Sequence, residues 1–330
     1  MNNRTDTFNQ NSSSLVINKI LFIIVIFVSI PSILINLFAS YRLHGNTKLS
    51  VFAFRCILHV SLVTTCICIP IFSMELYFNA YFPFSLFLCK IWLIVDYSSV
   101  VCLALLVCWA SIQRHILIFG PIRIKKLQST LRFKLLPIIF ALGFPLIWYS
   151  ILISTCTYEK LINKDQYKCR PCFENEKTIF LLDTLFSLLV PLLITIIATF
   201  LLLIRIIRLR FHLFRSNMKK WRRCKRLTRQ MILFSLIYLI GLLPYVLTNL
   251  NSLYNFWPLI NHFSYIQIAN TFTYVPCCFS SFLSIYAFPE IWKQRRNRLH
   301  QTSLRKNQKY EETSLTLPSI FLTTKTSSET

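Results

Sequence analysis

The sequence predicts an all-α membrane protein, a seven-transmembrane helix bundle with its N-terminus outside and its C-terminus inside. Three observations support this fold class. Hydrophobic residues make up 55% of the 330 residues, several apolar runs approach the length of a membrane span, and positive charge is distributed unevenly among the loops. About 20 apolar residues form a helix long enough to cross a ~30 Å hydrocarbon core. Because the runs are continuous rather than alternating, they exclude a β-barrel.

The apolar runs divide the chain into seven spans, at residues 16–41, 50–77, 86–113, 135–155, 178–204, 230–253 and 262–288. Of the 36 Lys and Arg, 28 fall in four segments that lie on one side of the membrane, at residues 42–55, 114–134, 205–229 and 293–325. Positively charged loops stay in the cytoplasm, so the N-terminus is expected outside. The net charge of +24 is therefore an orientation signal with some attraction to anionic lipid, and it does not predict nucleic-acid binding.

The N-terminal segment, residues 1–15, is predicted to be an extracellular tail. It carries two glycosylation acceptors, Asn3 in "NRT" and Asn11 in "NSS", which function only on the lumenal side. No cluster of positive charge precedes the first apolar run. We therefore expect residues 16–41 to be a retained anchor rather than a cleaved signal peptide.

The C-terminal part of the chain follows the seven predicted spans, residues 16–288. The stretch "PEIWKQRRNRL" predicts an amphipathic membrane-surface helix over residues 289–300. Residues 301–330 are polar, contain 12 Ser or Thr, and are expected to form a disordered cytoplasmic tail.

Four of the 12 cysteines fall on the predicted oxidising face of the membrane: Cys89, Cys156, Cys169 and Cys172. Disulfides persist in such compartments. Four cysteines allow three pairings, and the sequence does not choose among them. The "CRPC" at 169–172 lacks a second cysteine pair or nearby histidines, so no metal site is predicted.

Arg114 interrupts the apolar stretch "VCWASIQRHILIF". An arginine at the centre of a membrane helix costs roughly 2.5–3.5 kcal/mol, so we expect Arg114 at the cytoplasmic end of the third span. Cys89 lies about 37 Å away at the outer end of the same helix, at 1.5 Å per residue. The fifth and sixth spans carry internal prolines, Pro191 in "LLVPLL" and Pro244 in "GLLPYV", which predict helix kinks.

With Asn36 in "LINLFA", these residues make the chain resemble the rhodopsin-like (class A) G-protein-coupled receptors over about residues 16–300. The stretches "WASIQRHILIF", "KCRPCF" and "FPEIWKQ" are similar to a diverged group of orphan receptors from small invertebrates such as rotifers. The resemblance implies a receptor that binds an extracellular ligand and activates a heterotrimeric G protein. It also implies that Gln113, Arg114 and His115 form the coupling triplet.

The first residue of this triplet departs from the family, where it is an acid. A neighbouring carboxylate would hold Arg114 in a charge-assisted hydrogen bond, and the uncharged Gln113 cannot form that pair. We therefore expect an inactive state that is held less firmly than in relatives, with measurable basal signalling.

Other family motifs are also altered. The acid usual in the middle of the second span is missing, and its place falls near Ser61 or Leu62. Leu242 replaces the tryptophan of the sixth span. The Asn-Pro-x-x-Tyr motif is absent from "CCFSSFLSIYAFPEI", where either Tyr286 or Ser284 takes the place of its tyrosine.

Asp96 is the acid best placed to meet a ligand. It precedes Arg114 by five helical turns, so the two share one helix face some ~27 Å apart. An acid within the membrane is a functional-site hypothesis by default. The alternative is a structural acid hydrogen-bonded to neighbours such as Tyr97. In the family that the chain resembles, amine receptors carry their ammonium-binding aspartate at this place.

Three further residues complete the predicted ligand site. Asp183 lies eight residues before Pro191, and Glu75 closes the outer end of the second span, where a solvated rim residue is the alternative. Together with Asp96 they predict an acidic mouth for a cationic ligand, including one with two positive groups. Tyr274 is placed to hydrogen-bond Asp96 if Ser284 takes the place of the motif's tyrosine.

A receptor for a cationic amine is the favoured function, and a receptor for a small basic peptide framed by the loop at 156–177 is the alternative. A membrane transporter is the alternative from another class, but it would favour paired intramembrane charges or internal repeats. A membrane enzyme would need clustered catalytic side chains, whereas the six histidines are scattered. No cofactor is predicted. The expected partners are a heterotrimeric G protein, an arrestin that binds the phosphorylated tail, the ligand and the lipid of the cell membrane.

Overall fold

The computed structural model describes residues 3–43, 49–78, 86–119, 131–156, 162–163, 168–213, 218–254 and 263–287. The predicted surface helix at 289–300 and the tail at 301–330 lie outside the described residues.

Helices account for nearly all of the described chain, and they form the predicted seven spans. The first span is α1 (Asn3–Leu43), and the second is α2 (Leu49–Val63), a π-helical turn (Thr64–Cys68) and α3 (Ile69–Phe78). The third is α4 (Leu86–Phe119) and the fourth is α5 (Leu131–Ser154). The fifth is α6 (Lys177–Asp183), a π-helical turn (Thr184–Leu189) and α7 (Val190–Leu213). The sixth is α8 (Met218–Tyr254), and the seventh is α9 (Phe263–Phe272) followed by α10 (Val275–Ala287).

The described residues between the fourth and fifth spans form a short antiparallel hairpin. Strand β1 (Ile162–Asn163) pairs with β2 (Lys168–Cys169). A single 3-10 turn (Cys172–Asn175) follows and leads into α6.

The third span lies at the centre of the bundle. Helix α4 contacts the second, fourth, fifth and sixth spans. Its middle section is accordingly buried, and Leu106 and Val107 are almost fully covered. The small residues Ala104 and Ala110 let neighbouring helices approach closely, as is typical of helix packing in membranes. Groups on this helix can therefore reach most of the other spans.

The bundle places small polar side chains inside and large apolar ones outside. Ser32, Asn36 and Ser61 are fully buried, whereas the side chains of Phe27 and Leu136 are 78% and 71% exposed. Contiguous apolar surface of this kind is rare on soluble monomers, and lipid tails cover it at no cost. Six helices within the described residues are long and apolar enough to cross a membrane. These are the features of a multi-pass membrane protein.

Hydroxyl groups join the first, second and seventh spans in the core. The Ser32 hydroxyl donates to the carbonyl of Cys278 at 2.9 Å and lies 3.2 Å from the Ser281 hydroxyl. The Ser280 hydroxyl donates to Ser61 at 2.8 Å. Ser61, one of the two places expected for the missing second-span acid, is therefore joined to the seventh span by neutral groups.

A proline follows shortly after each of the two π-helical turns. Pro70 and Pro191 lie two residues beyond the turns that end at Cys68 and Leu189. A proline ring clashes with the carbonyl four residues earlier, and in both helices that carbonyl belongs to the widened turn. The turn thus accommodates Pro191 within the fifth span. Pro244 lies inside the continuous helix α8.

The seventh span, predicted as one helix, is divided by a turn at residues 273–274. Pro276 has no N–H to bond the carbonyl of Phe272, which is the last residue of α9. Gly241 of the sixth span packs directly against this break. A Cβ atom added at Gly241 would lie 2.5 Å from the Pro276 ring and 3.0 Å from the Phe272 carbonyl oxygen. The sixth and seventh spans meet here only because residue 241 has no side chain.

Several helix ends differ from the predicted spans. Helix α1 begins at Asn3, within the segment assigned to an extracellular tail. Helix α4 continues to Phe119, and helices α7 and α8 extend beyond the fifth and sixth spans, to Leu213 and from Met218.

Gly241→Ala is expected to lower the free energy of unfolding by about 1–3 kcal/mol, the usual cost of overpacking. Gly143→Ala is the matched control, because a Cβ there meets no atom within 4 Å. Replacing that helical glycine should be neutral or stabilising by up to about 1 kcal/mol. Thermal unfolding of the two detergent-solubilised variants measures the difference, and equal melting temperatures would contradict the close approach.

Candidate functional site

One end of the bundle carries two disulfides, and we call it the disulfide end. Cys89, at the start of α4, is bonded to Cys169 of β2, with their Cα atoms 6.0 Å apart. Cys156, just beyond α5, is bonded to Cys172 at the start of the 3-10 turn. The sequence left these pairings open, and the structure selects one of the three. Both cysteines of "CRPC" are disulfide-bonded.

Lys90 reinforces the same end of the bundle. Its ammonium donates to the carbonyl of Cys156 at 3.0 Å and to that of Ser154 at 3.3 Å. The last carbonyls of a helix lack partners within the helix and carry partial negative charge, so a cation stabilises them. This contact links the start of the third span to the end of the fourth.

A cavity of about 400 Å³ opens between the spans at the disulfide end, and it lies in the size range of small-molecule sites. Its described lining contains four carboxylates and a single cationic side chain, Arg170. The four acids are Glu75, Asp96, Glu174 and Asp183. The predicted acids are therefore brought together, and a fourth joins them.

Asp96 lies on the wall of this cavity that is formed by the third and seventh spans. The Tyr274 hydroxyl donates to its carboxylate at 2.9 Å. This is the hydrogen bond predicted for the register in which Ser284 takes the place of the tyrosine of the Asn-Pro-x-x-Tyr motif. The Tyr274 ring packs on Phe72 with the ring centroids 4.8 Å apart. Glu75, also on the lining, is close enough for its charge to act on Asp96. The alternative partner, Tyr97, instead donates to a different acid.

That acid is Glu174, which the sequence analysis did not select. The Tyr97 hydroxyl donates to its carboxylate at 2.7 Å. Burial raises the pKa of Glu174, while the Tyr97 hydrogen bond and the charge of Arg170 act in the opposite direction. In the sequence, Glu174 is marked only by its position two residues after Cys172. That position indicates a place at the cavity only once the disulfide from Cys172 to Cys156, at the end of the fourth span, is known.

Asp183 is buried and joins the fourth and fifth spans. Its carboxylate accepts hydrogen bonds from Trp148 Nε1 at 3.0 Å, from the Tyr149 hydroxyl at 2.9 and 3.0 Å, and from the Ser187 hydroxyl at 2.9 Å. These three donors occupy both carboxylate oxygens. Asp183 thus lines the cavity but is already fully engaged by the protein.

The remaining predicted positions fall in two groups. Gln113 is buried within α4, whereas the side chains of Arg114 and His115 lie outside the described ones. The side chains of the glycosylation acceptors Asn3 and Asn11 also lie outside the described part of the chain. Within the residues that the structure describes, no three His, Cys, Asp or Glu side chains are grouped as a metal site would require.

The family model that describes the 7 transmembrane receptor (rhodopsin family) matches residues 32–286. The chain belongs to the rhodopsin-family receptors. The match confirms the resemblance to rhodopsin-like receptors and the predicted fold class, a seven-transmembrane helix bundle. A search of the curated proteins finds none that matches the chain.

Members of the rhodopsin family are receptors rather than enzymes, and they work with a ligand, a G protein and a membrane. In this receptor, the cavity opens at the disulfide end, and its last lining residue on α4, Val101, precedes Arg114 by 13 residues, or about 20 Å of helix. Binding in the cavity can therefore affect the Arg114 end of α4 only through movement of the spans.

Asp183→Ala is expected to destabilise the receptor, because the buried donors Tyr149 and Ser187 and the half-buried Trp148 lose their acceptor, at a cost of about 1–3 kcal/mol for each buried donor. Tyr149→Phe removes one donor and leaves Asp183 with two, so its loss of stability should be smaller. Thermal unfolding in detergent measures both. An Asp183→Ala receptor as stable as the wild type would contradict the role of Asp183 as a joint between the fourth and fifth spans.

Proposed function

We propose that this receptor binds a cationic amine at Asp96 and activates a heterotrimeric G protein through the opposite end of the bundle. The observation that carries the proposal is the Asp96 carboxylate, which lines the cavity and is oriented by the Tyr274 hydroxyl. An intramembrane acid is costly unless it is matched. An ammonium ligand would supply the matching charge.

The charge balance of the cavity supports a cation over an anion. Four carboxylates face one guanidinium in the described lining. A carboxylate and an ammonium form charge-assisted hydrogen bonds, which are about twice as strong as neutral ones. The reduced dielectric constant of a buried site strengthens this attraction further.

The size of the cavity favours a small amine over the alternative, a basic peptide. Small-molecule pockets range from about 300 to 1,000 Å³, and this cavity lies near the lower limit. The loop that would frame a peptide is instead tied to the third and fourth spans by both disulfides.

The location of the disulfides supports an extracellular position for the cavity. All four disulfide cysteines lie at one end, and disulfides persist in oxidising compartments. With the cavity outside, the basic segments at 114–134 and 205–229 lie in the cytoplasm, in agreement with the positive-inside rule. The proposal also includes glycosylation of the N-terminal tail and binding of an arrestin to the C-terminal tail.

Signalling then requires a shift between two packings of the spans. Ligand contacts near Asp96 favour one packing, and Arg114, about 27 Å along the same helix, meets the G protein in that packing. The basic segment at 205–229, with 11 Lys or Arg and no acid, supplies electrostatic attraction to acidic parts of the partner.

Asp96→Asn is expected to raise the concentration of amine needed for half-maximal response by about tenfold to hundredfold, because the charge-assisted bond is lost. Cells that carry G-protein dissociation sensors and equal surface amounts of wild type, Asp96→Asn and Arg114→Ala would measure the response to a panel of monoamines. Arg114→Ala should abolish the response while leaving amine binding intact. A response that needs Arg114 but ignores Asp96 would retain the receptor and overturn the ligand site.

Basal signalling should exceed that of Arg114→Ala, because Gln113 cannot hold Arg114 in an ion pair. Gln113→Glu restores the carboxylate and is expected to lower the ligand-free signal toward the Arg114→Ala level. The same sensors, read without ligand, measure this change. Wild-type basal activity equal to that of Arg114→Ala would refute the weakly held inactive state.

A further inference from the structure

The cavity has acids on two different walls. Asp96 and Tyr97 are consecutive residues of α4, so their side chains leave the helix about 100° apart. Asp96 meets Tyr274 of the seventh span. Tyr97 points to the other side, where it contacts Tyr149 of the fourth span at a centroid distance of 5.5 Å and donates to Glu174.

Glu174 is held in place by covalent and aromatic contacts. The disulfide from Cys156 to Cys172 fixes the chain two residues before it. The adjacent Phe173 is buried against Tyr97 and Tyr149, with ring centroids 5.6 and 6.1 Å apart. The carboxylate therefore enters the cavity from the loop as part of an ordered wall.

The two acids on this wall differ in how far the protein satisfies them. Asp183 accepts from three donors, which involve both of its oxygens. The Glu174 carboxylate accepts from Tyr97 through one oxygen, Oε1, and no other hydrogen bond reaches this carboxylate from the residues that the structure describes. Arg170 acts on it through its charge. Glu174 is thus the acid of this wall that retains capacity for a ligand.

A neutral polar group also faces the cavity. Gln267 of α9 lines it, is only 8% exposed, and precedes Tyr274 by about two helical turns. The lining thus offers a ligand a neutral polar group as well as charged ones.

We propose that the natural ligand is a dicationic amine, with one ammonium at Asp96 and the second at Glu174. The inference rests on the proposed function and extends it, because it assigns a second charged subsite to the loop. Burial alone raises the pKa of Glu174, and a ligand ammonium beside it would favour the ionised carboxylate as Arg170 already does. Asp183 serves as a positioning residue that holds the fourth and fifth spans around this subsite.

The test compares a homologous series of α,ω-diaminoalkanes with the monoamine matched to each. Binding to the full-length receptor is measured as ligand-induced thermal stabilisation, which requires no signalling step. In the wild type, one diamine length should bind about tenfold to hundredfold more tightly than its monoamine, the value of one charged hydrogen bond. Glu174→Gln should abolish this preference and leave the affinity for the monoamine unchanged.

Glu176→Gln is the matched control. Glu176 lies two residues further along the same segment, is exposed, and does not line the cavity. The substitution removes the same charge from the mouth region, so an effect of general electrostatic attraction would appear in both variants. The diamine preference should survive in Glu176→Gln.

The outcomes separate the two proposals. Monoamine binding that depends on Asp96, with no diamine preference or with a preference that survives Glu174→Gln, would overturn the second subsite and leave the proposed function standing. If no amine of either series stabilises the wild type, the proposed function fails and the second subsite fails with it. A preference lost equally in Glu176→Gln would assign the effect to the charge of the loop as a whole, and so would overturn the subsite.

Discussion

The bundle is organised by the requirement that a carboxylate removed from water must be matched by donors or by an opposite charge. Each acid of the cavity consequently joins two parts of the fold. Asp96 connects the third span to Tyr274 of the seventh, and Asp183 connects the fifth span to Trp148 and Tyr149 of the fourth. Glu174 connects the loop to the third span through Tyr97. The groups that attract a cation are therefore also the joints that set the shape of the cavity.

Away from the cavity, the spans are joined by neutral groups. Ser61 occupies the buried region where relatives carry an acid, and it meets Ser280 rather than a charge. The nearby first-span amide of Asn36 has no hydrogen-bond partner among the described residues. Negative charge in the described part of the bundle is thus concentrated at the disulfide end. The charge of a ligand therefore acts mainly on groups at the disulfide end. Its effect can reach the Arg114 end only through changes in how the spans pack.

Length and hydropathy were sufficient to predict the seven spans, because a lipid environment leaves few alternatives for an apolar run of about 20 residues. The helix period likewise placed Asp96 and Arg114 on one face of the third span, whereas the hydrogen bond from Tyr274 was predicted for only one of two registers of the seventh span. Other features depend on contacts between distant residues and carry no local signal. The pairing of Cys156 with Cys172, and with it the placement of Glu174, depends on how the loop folds over the bundle. The break after Phe272 has a local signal in Pro276, which lacks the N–H of a helix, but its close contact with Gly241 does not. The full set of donors around Asp183 depends on Trp148 and Tyr149 facing the fifth span.

The two disulfides have a further consequence for the thermodynamics of recognition. A loop that folds only when its ligand arrives must lose conformational entropy at that moment, about 1–2 kcal/mol for each backbone residue that becomes fixed. Here the segment from Cys169 to Cys172 is bonded to the third and fourth spans before any ligand enters. That entropy is lost when the receptor folds, so its loss does not reduce the free energy of binding. A ligand of few atoms can therefore bind tightly in a cavity whose wall is a loop.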